Sequence, residues 1–209
     1  MNPDSIDRLL SPAEIVEHFG RLLGDGLVAS SVYERFEGRK TSGSVQIWLT
    51  IDRRRLKEAV RTLIGIHFPH LTVISGCDVG DDIELNYHFY IYYGRARGEY
   101  GVFLKTLLPK SDPAIDTITD MIPGALTSER EKQEFFGVTI TGIPDSRRMF
   151  LPDDFPEGVH PWRKDETGIQ EHMVKKLYEV GKEPVEKRRE AAAAAPQQPQ
   201  QPQQPNEAS

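Results

Sequence analysis

The sequence predicts an α+β fold of two layers, in which helices cover one face of a mixed or antiparallel sheet. Three observations support this prediction. Apolar residues recur at helical spacing after Ser11 and again after Asp52. Stretches rich in β-branched and aromatic residues follow each of these segments. Gly- and Asp-rich turns separate the later stretches, so the predicted order is α-β-β-α-β-β-β.

The first helix begins at a capping box, Ser11-Pro12-Ala13-Glu14, which has proline at the first helical position. Its apolar stripe predicts a helix that ends near residue 23, and it consists of Ile15, Phe19, Leu22 and Leu23. Residues 27–36 and 45–51 then flank a polar turn at 38–44. Because the second stretch alternates apolar and polar residues, we predict a β-hairpin.

A second helix follows Asp52, whose side chain can cap it. The helix should end before Pro69, and its apolar stripe contains Leu56, Ala59, Val60, Leu63, Ile64 and His67. Three further strands are predicted at 71–77, 83–92 and 101–108.

The pattern changes after Pro109. We predict one helical turn from Asp112-Pro113, a short helix opened by a second capping box at 128–131, and a helix end at Gly137. Residues 138–165 show little periodicity, and a loop of that length is usually functional or wrapped on a partner. A last short amphipathic helix is predicted from Ile169, Met173, Leu177 and Val180.

Three regions follow from these elements. Residues 1–110 form the two-layer domain, and residues 111–183 form an extended interface segment with short helices that wraps on a partner. Residues 184–209 form a disordered tail rich in Ala, Pro and Gln. Its proline at every third position from 196 to 205 is typical of solvated polyproline II.

The composition of the chain excludes several kinds of site. The chain has 209 residues, a formal net charge of −6 and one cysteine, Cys77. One cysteine excludes an internal disulfide, and it cannot supply the several thiolates of an iron-sulfur cluster or a cysteine-rich zinc site. No apolar run is long enough to span a membrane, and the N-terminal residues resemble neither a signal nor a transit peptide. We therefore expect a cytoplasmic location.

The motifs of common catalytic sites are missing from the sequence. It contains no dinucleotide-binding or P-loop glycine pattern and no nucleophile elbow. His67 and His70 have a candidate metal spacing, but the intervening Pro69 keeps them off one helical face. Acid-base work by paired carboxylates requires burial, which nothing in the sequence indicates for Glu129, Glu131, Glu134, Asp153 or Asp154. We predict no catalytic residue, cofactor or metal in this chain.

An RNA-binding α+β module is the distant alternative. Arg53-Arg54-Arg55 and the aromatic strand at 87–93 are its only support, since a sheet face of aromatic residues can stack bases. The strand lacks the usual RNA-recognition pattern, and the negative net charge opposes the approach of phosphates. We therefore expect no nucleic acid and no small-molecule substrate.

Residues 129–165 have the composition of a protein-protein interface. Arginine pairs, Phe and Trp lie between prolines that stiffen an extended path. Arg147 and Arg148 can form forked hydrogen bonds with carboxylates of a partner. In the other interpretation, they pair with Glu129, Glu131 or Asp145 of the same chain.

These residues also resemble the signature of a known family. Their order is Glu129-Arg130-Glu131, Glu134, Phe135-Phe136-Gly137, Pro144-Asp145, Arg147-Arg148, His160-Pro161 and Arg163-Lys164-Asp165. A similar order is typical of the 30-kilodalton subunit family of respiratory complex I, which includes the corresponding subunit of membrane-bound, energy-converting nickel-iron hydrogenases.

The resemblance implies a peripheral-arm subunit without catalytic residues, which belongs to an oxidoreductase complex without being an enzyme by itself. It would dock on the large, 49-kilodalton-type catalytic subunit beside the cluster-bearing small subunit. Iron-sulfur clusters, and nickel-iron in the hydrogenase branch, would belong to those partners. The membrane arm would be reached indirectly, from the cytoplasmic side. The implied interface residues are Glu129, Arg130, Glu131, Glu134, Pro144, Asp145, Arg147, Arg148, His160, Pro161, Trp162, Arg163, Lys164 and Asp165.

Two departures from the family pattern bear on the branch. Ile143 stands before Pro-Asp where the pattern usually has His or Lys. Trp162 follows Pro161, and Glu-Thr-Gly follows Asp165. This ending is more similar to the hydrogenase branch, which we favour over the quinone-reducing complex.

Overall fold

The computed structural model describes residues 9–36, 43–94 and 99–174. The chain divides into two units, Met1–Ile169 and Gln170–Ser209. The first unit contains the sheet and its helices. In the second unit, the described residues form one short 3-10 helix, Glu171–Met173. The predicted tail and residues 38–42 of the turn predicted at 38–44 lie outside the described residues, and residues 43 and 44 belong to a strand.

The first unit contains the predicted elements in the predicted order. Helix α1 and strands β1 and β2 are Pro12–Leu23, Leu27–Phe36 and Gly43–Ile51, and helix α2 is Leu56–Ile66. Strands β3, β4 and β5 are His70–Asp78, Asp82–Ile91 and Tyr100–Pro109. Two short strands and a helix follow, which are β6 at Ala114–Asp116, α3 at Ala125–Phe136 and β7 at Thr139–Thr141.

The main sheet has five strands in the order β1-β2-β5-β4-β3. Only the central pair, β2 and β5, is parallel, and the other three pairs are antiparallel. The sheet is therefore mixed, and the prediction of an α+β fold is confirmed. Strands β6 and β7 form a separate parallel pair.

Two of the three predicted N-caps are present, those at Ser11 and Asp52. The Ser11 hydroxyl accepts a hydrogen bond from the Glu14 N–H at 3.3 Å, and the Glu14 carboxylate accepts one from the Ser11 N–H at 2.8 Å. The Asp52 carboxylate accepts from the Arg54 N–H at 2.8 Å and opens a 3-10 turn that continues into α2. These caps satisfy donors that the first turn of a helix leaves free.

The core lies between one face of the sheet and the helices. In β4, alternate residues are fully buried on this face, namely Ile83, Leu85, Tyr87, Phe89 and Ile91. Helix α1 contributes Ile15, Phe19 and Leu23 as predicted, but Leu22 is 44% exposed because it lies at the flank of the stripe. The opposite face carries Trp48 stacked on Phe103, with ring centroids 4.4 Å apart.

Two predictions after Pro109 are wrong. The segment at Asp112-Pro113 is not helical, because the next residues form β6 and the Pro113 carbonyl accepts from the Thr139 N–H at 2.9 Å. Helix α3 begins at Ala125 rather than at the capping box, so Ser128 lies inside it. Backbone turns start this helix instead, since the Ile122 N–H donates to the Ile118 carbonyl at 2.8 Å.

The predicted last helix is described only in part. Its described residues form the 3-10 helix Glu171–Met173, and Leu177 and Val180 lie outside the described residues. Within the described ranges, no helix is both long enough and apolar enough to cross a membrane.

Candidate partner-binding surface

Helix α3 packs against the edge strand β3 through Phe136. A Cβ atom added to Gly76 of β3 would lie 2.6 Å from Cε2 of Phe136, which is too close for any side chain. Glycine at this position therefore leaves the space that the Phe136 ring fills. The contact fixes the helix that carries the first half of the family signature.

Glu129 of α3 is buried, with only 1% of its surface exposed. Its carboxylate accepts from the Thr117 hydroxyl at 2.5 Å and from the Ile118 N–H at 2.8 Å. Burial raises the pKa of Glu129 above its ordinary value, although these two hydrogen bonds oppose the shift. Glu129 therefore ties α3 to the preceding turn of its own chain.

Burial penalises the charged form of Glu129 and so raises its pKa. We therefore expect Glu129→Gln to alter the pH dependence of stability. An acid with a raised pKa in the folded state binds more protons there than in the unfolded state. The wild-type chain should lose stability relative to Glu129→Gln as the pH rises above the ordinary Glu value of 4.5. Urea melts of both proteins between pH 4 and pH 8 measure the difference, and a constant difference would contradict the expectation.

Two further α3 side chains hold the loop that follows β7. The Glu134 carboxylate accepts hydrogen bonds from three consecutive backbone N–H groups, those of Met149, Phe150 and Leu151, at 2.6, 2.9 and 2.8 Å. The Arg130 guanidinium donates to the Arg147 carbonyl from Nε at 2.9 Å and from Nη2 at 2.6 Å. Charge-assisted bonds of this kind are the stronger ones, so the loop has a defined path.

The C-terminal end of α3 is closed by residues 160–163. Gly137 adopts the left-handed conformation, φ 65°, so the predicted helix end is confirmed. The Trp162 N–H donates to the Phe135 carbonyl at 3.0 Å, and Arg163 Nε donates to the Phe136 carbonyl at 2.7 Å. His160 Nδ1 lies 3.3 Å from the Glu134 carbonyl. These bonds satisfy carbonyls that the last turn of a helix leaves without partners.

Asp78 anchors the end of the signature to the sheet. Its side chain is 1% exposed and accepts from Lys110 Nζ at 2.7 Å and from the Lys164 N–H at 2.8 Å. Lys110 Nζ also lies 2.6 Å from Asp165 Oδ2. Burial alone would raise the pKa of Asp78, but the hydrogen bonds from Lys110, Lys164 and Gly80 outweigh it and leave the pKa lowered.

The same contacts leave a cluster of large side chains exposed. Trp162 stacks on Phe135 with centroids 4.4 Å apart, and Phe150 lies 5.8 Å from the same ring. Met149, Phe150 and Trp162 are 48%, 43% and 42% exposed. The Arg147 side chain is 85% exposed. We call Phe135, Arg147, Met149, Phe150 and Trp162 the signature surface.

At least half of the predicted interface residues contribute to the structure of their own chain. Seven of them have hydrogen-bond or ion-pair partners within the chain that hold α3 or the loop in place, and these are Glu129, Arg130, Glu134, His160, Arg163, Lys164 and Asp165. Glu131 contacts Lys132. Pro144 is exposed, and Pro161 is half-buried. Whether any of them touches a partner remains a prediction.

Both arginines of the pair have partners within the chain, and only the Arg147 contact is one that the second interpretation includes. Arg147 forms a bidentate contact with Asp145 of the same chain, at 2.9 and 2.8 Å, and this contact lowers the pKa of Asp145. Arg148 donates instead to the Phe155 carbonyl at 2.9 Å. Ile143, which departs from the family pattern, is half-buried and packs against the apolar core.

Four residues of this arrangement were missed from the sequence. Met149 and Phe150 stand in a short apolar run before Pro152, which is the signal that could have revealed them. Asp78 and Lys110 lie at strand ends far from the signature in sequence, and no local pattern marks them. In the ranges that the structure describes, no group of three or more His, Cys, Asp or Glu side chains could hold a metal ion.

The chain was compared with known proteins. Residues 49–172 match the family described as the 30-kilodalton subunit of respiratory-chain NADH dehydrogenase. The chain is 35% identical over 156 residues to membrane-bound hydrogenase subunit beta of Pyrococcus furiosus, a match that covers 71% of this chain and 90% of that protein. It is 32% identical over 123 residues to hydrogenase-4 component G of Escherichia coli, covering 57% of this chain but only 22% of that longer protein.

A solved structure shares the fold. A chain of the membrane-bound sulfane sulfur reductase, an archaeal respiratory membrane complex, superposes with a TM-score of 0.57 and 22% sequence identity. The match covers 83% of this chain and 91% of that one. The signature surface lies in a part of the sequence that the family match includes.

Proposed function

Since this chain belongs to the family of the 30-kilodalton subunit of respiratory-chain NADH dehydrogenase, we propose that it serves as a non-catalytic peripheral subunit of a membrane-bound redox complex. Its relatives are subunits of membrane-bound hydrogenase and of complex I-like assemblies. In the finer proposal, it docks on the large catalytic subunit of an energy-converting nickel-iron hydrogenase, beside the cluster-bearing small subunit, on the cytoplasmic side of the membrane.

The observation that carries this proposal is the signature surface. Aromatic residues, methionine and arginine are the types enriched at the centres of protein interfaces. Here Trp162 and Phe150 both pack on Phe135, and Trp162, Phe150, Met149 and Arg147 are all exposed. Isolated exposed apolar residues are ordinary, but a contiguous group of large ones is typical of a contact site.

The supporting contacts give the surface a fixed shape before binding. Glu134 holds three N–H groups of the loop, and residues 160–163 are bonded to the end of α3. A surface that is ordered in advance loses less conformational entropy on association, so more of its contact energy appears as affinity. The buried signature residues therefore position the surface rather than contact the partner.

Redox chemistry is assigned to the partners. Iron-sulfur clusters, and nickel-iron in the hydrogenase case, would be bound by the other subunits. The contribution of this chain would be to hold those subunits in register.

Arg147 and Arg148 provide a matched pair of variants for the docking proposal. Arg147→Ala removes an 85% exposed guanidinium, so we expect an unchanged melting temperature and weaker capture of the co-expressed large subunit, by about tenfold. Arg148→Ala removes the bond to the Phe155 carbonyl, so its main effect should be on the order of the loop. Pull-down titration and circular dichroism measure the two effects.

The docking proposal would fail if Arg147→Ala melted earlier than wild type and still captured the large subunit at wild-type affinity. That result would mean that the contact between Arg147 and Asp145 serves only the chain itself.

The second candidate is the same role in a quinone-reducing complex, which the description of the family itself favours. The purified complex distinguishes the two candidates. Hydrogen-dependent reduction of a viologen dye supports the hydrogenase, whereas NADH- or other donor-dependent reduction of a quinone analogue supports the quinone oxidoreductase.

A further inference from the structure

Strand β1 forms one edge of the main sheet. In the part of the chain that the structure describes, β2 is the only strand that pairs with it. An edge strand directs the N–H and C=O groups of alternate residues away from its neighbour, where they can bond to another strand. With ten residues, β1 is longer than an average strand.

The middle of this edge lacks the features that usually protect one. A register shift lies at one end of β1, between Leu27 and Ala29, and the charged Glu34 and Arg35 lie near the other end. Soluble proteins place Pro, Lys or inward-pointing charges on long edge strands, or cover them with another element. From Val28 to Tyr33 the strand has no proline and no charged residue. Val28, Val32 and Tyr33 are 67%, 39% and 59% exposed, although their side chains point to both faces of the sheet. The opposite edge strand, β3, packs against α3.

A cavity of about 600 Å³ lies beside this edge on the sheet face opposite the helices. The small residues Ala29 and Ser31 of β1 leave Trp48 of β2 accessible, and Tyr33 and Lys105 also line the space. Side chains of an added strand would stand about 4.8 Å beyond β1. A bulky apolar side chain at an alternate position of that strand can therefore lean over Ala29 and Ser31 and contact Trp48.

We propose that β1 receives an extended strand from another subunit of the complex, with an apolar side chain seated against Trp48. This inference rests on the proposed function. Main-chain hydrogen bonds would supply the register of the added strand, and the cavity would select its side chain.

The size of the edge argues against a free dimer of this chain. A ten-residue strand is about 34 Å long, and a sheet edge about 10 Å high then buries roughly 700 Å² over both partners. Stable interfaces bury at least about 1,200 Å². A strand of this kind binds well only when its chain is held nearby by other contacts, which raise its effective concentration.

The location of the edge also separates it from the signature surface. Strands β1 and β3 lie at opposite ends of the sheet, four strand spacings apart, which is about 19 Å. The signature surface belongs to the side of β3, because α3 packs there. Other subunits would therefore contact the chain at both edges of its main sheet.

Hydrogen-deuterium exchange followed by mass spectrometry tests the inference on the full chain, both free and in the complex purified by co-expression. We expect the amides of residues 27–36 that do not bond to β2 to exchange at least tenfold more slowly in the complex than in the free chain. Residues 45–50 of β2, which pair with a strand on both sides, serve as the internal control.

A charge substitution supplies the second measurement. Val32→Lys places a lysine on the edge without removing a backbone donor, so the free chain should melt as wild type while its incorporation into the complex falls about tenfold. Val79→Lys, at a 47% exposed valine in the turn after β3, is the matched control and should assemble normally.

Each contrary outcome is distinct. If the complex forms and residues 27–36 still exchange at the rate of the free chain, the inference is overturned and the proposed function stands. Protection, already in the free chain, of the β1 amides that do not bond to β2 also overturns it, and native mass spectrometry then shows whether a second copy or the same chain covers the edge. If no complex forms, the proposed function and this inference fail together.

Discussion

Replacement of Asp78 by alanine is expected to lower the melting temperature of the full chain by about 10 °C, because breaking a buried ion pair typically costs about 3 kcal/mol or more. The Asp78 side chain is 1% exposed and accepts from both Lys110 and the Lys164 N–H. Without it, Lys110 keeps only Asp165. Thermal denaturation followed by circular dichroism measures the effect.

Asp81→Ala is the matched control, since Asp81 is an exposed aspartate in the neighbouring turn and should change the melting temperature by less than about 2 °C. A second variant, Asp78→Leu with Lys110→Met, should recover part of the loss because it removes both members of the buried pair. Asp165 still accepts from the Thr167 N–H and hydroxyl in this variant. Equal melting temperatures for Asp78→Ala and Asp81→Ala would show that Asp78 does not anchor the segment.

The pH dependence of the Asp78 effect has a definite sign. The folded state lowers the pKa of Asp78, so the stabilisation is fully present above the ordinary value of 3.8 and is lost as the pH falls through the folded value. The difference in unfolding free energy between wild type and Asp78→Ala should therefore shrink below about pH 4.

Substitution of both Phe150 and Trp162 by alanine is expected to weaken binding of the large subunit by at least about a hundredfold. Truncation of a buried aromatic anchor at an interface typically costs about 2 kcal/mol or more, and two neighbouring anchors are removed here. Both rings pack on Phe135, so the variant removes the two exposed aromatic side chains of the signature surface. Titration by biolayer interferometry or calorimetry measures the affinity.

Phe68→Ala is the control for this variant, because Phe68 is 56% exposed between α2 and β3 and does not belong to the signature surface. It should bind the large subunit as wild type. A Phe150 and Trp162 variant that retains wild-type affinity while it remains folded at the assay temperature would exclude the signature surface as the docking site.

The sequence predicted the two-layer domain well because its signals are local. The capping box at Ser11, a stripe such as Leu56 to Leu63, and the alternation in β2 each lie within about a dozen residues, and the structure contains the corresponding elements. The segment after Pro109 was predicted less well, since tertiary contacts decide its structure. Strand β6 exists only through its pairing with β7, and the start of α3 depends on the preceding turn rather than on Ser128.

The sequence could locate the candidate surface, but it could not show which of its residues are exposed and which hold the chain's own structure. Charge runs usually face solvent, yet Glu129 and Glu134 bind hydroxyl or backbone donors of their own chain. Which carboxylates turn inward depends on donors that the fold brings near, and Lys164 reaches Asp78 across 86 positions of sequence. The sequence therefore singled out Arg147 and Trp162 and gave Asp145 as one alternative partner of Arg147, but it did not reveal the contacts that hold Trp162 and the loop.

The closing of α3 by residues 160–163 has a consequence for recombination between relatives. The end of α3 contacts the segment from His160 to Arg163, which donates hydrogen bonds to the Phe135 and Phe136 carbonyls. The two pieces also meet at Gly137, where an added Cβ would clash with the His160 ring. A chimaera that takes one of these two pieces from another family member and keeps the other would join surfaces shaped for different neighbours. A chimaera keeps these contacts together only if the whole stretch from α3 to Arg163 comes from one parent. A crossover placed between its two ends should destabilise the C-terminal end of α3.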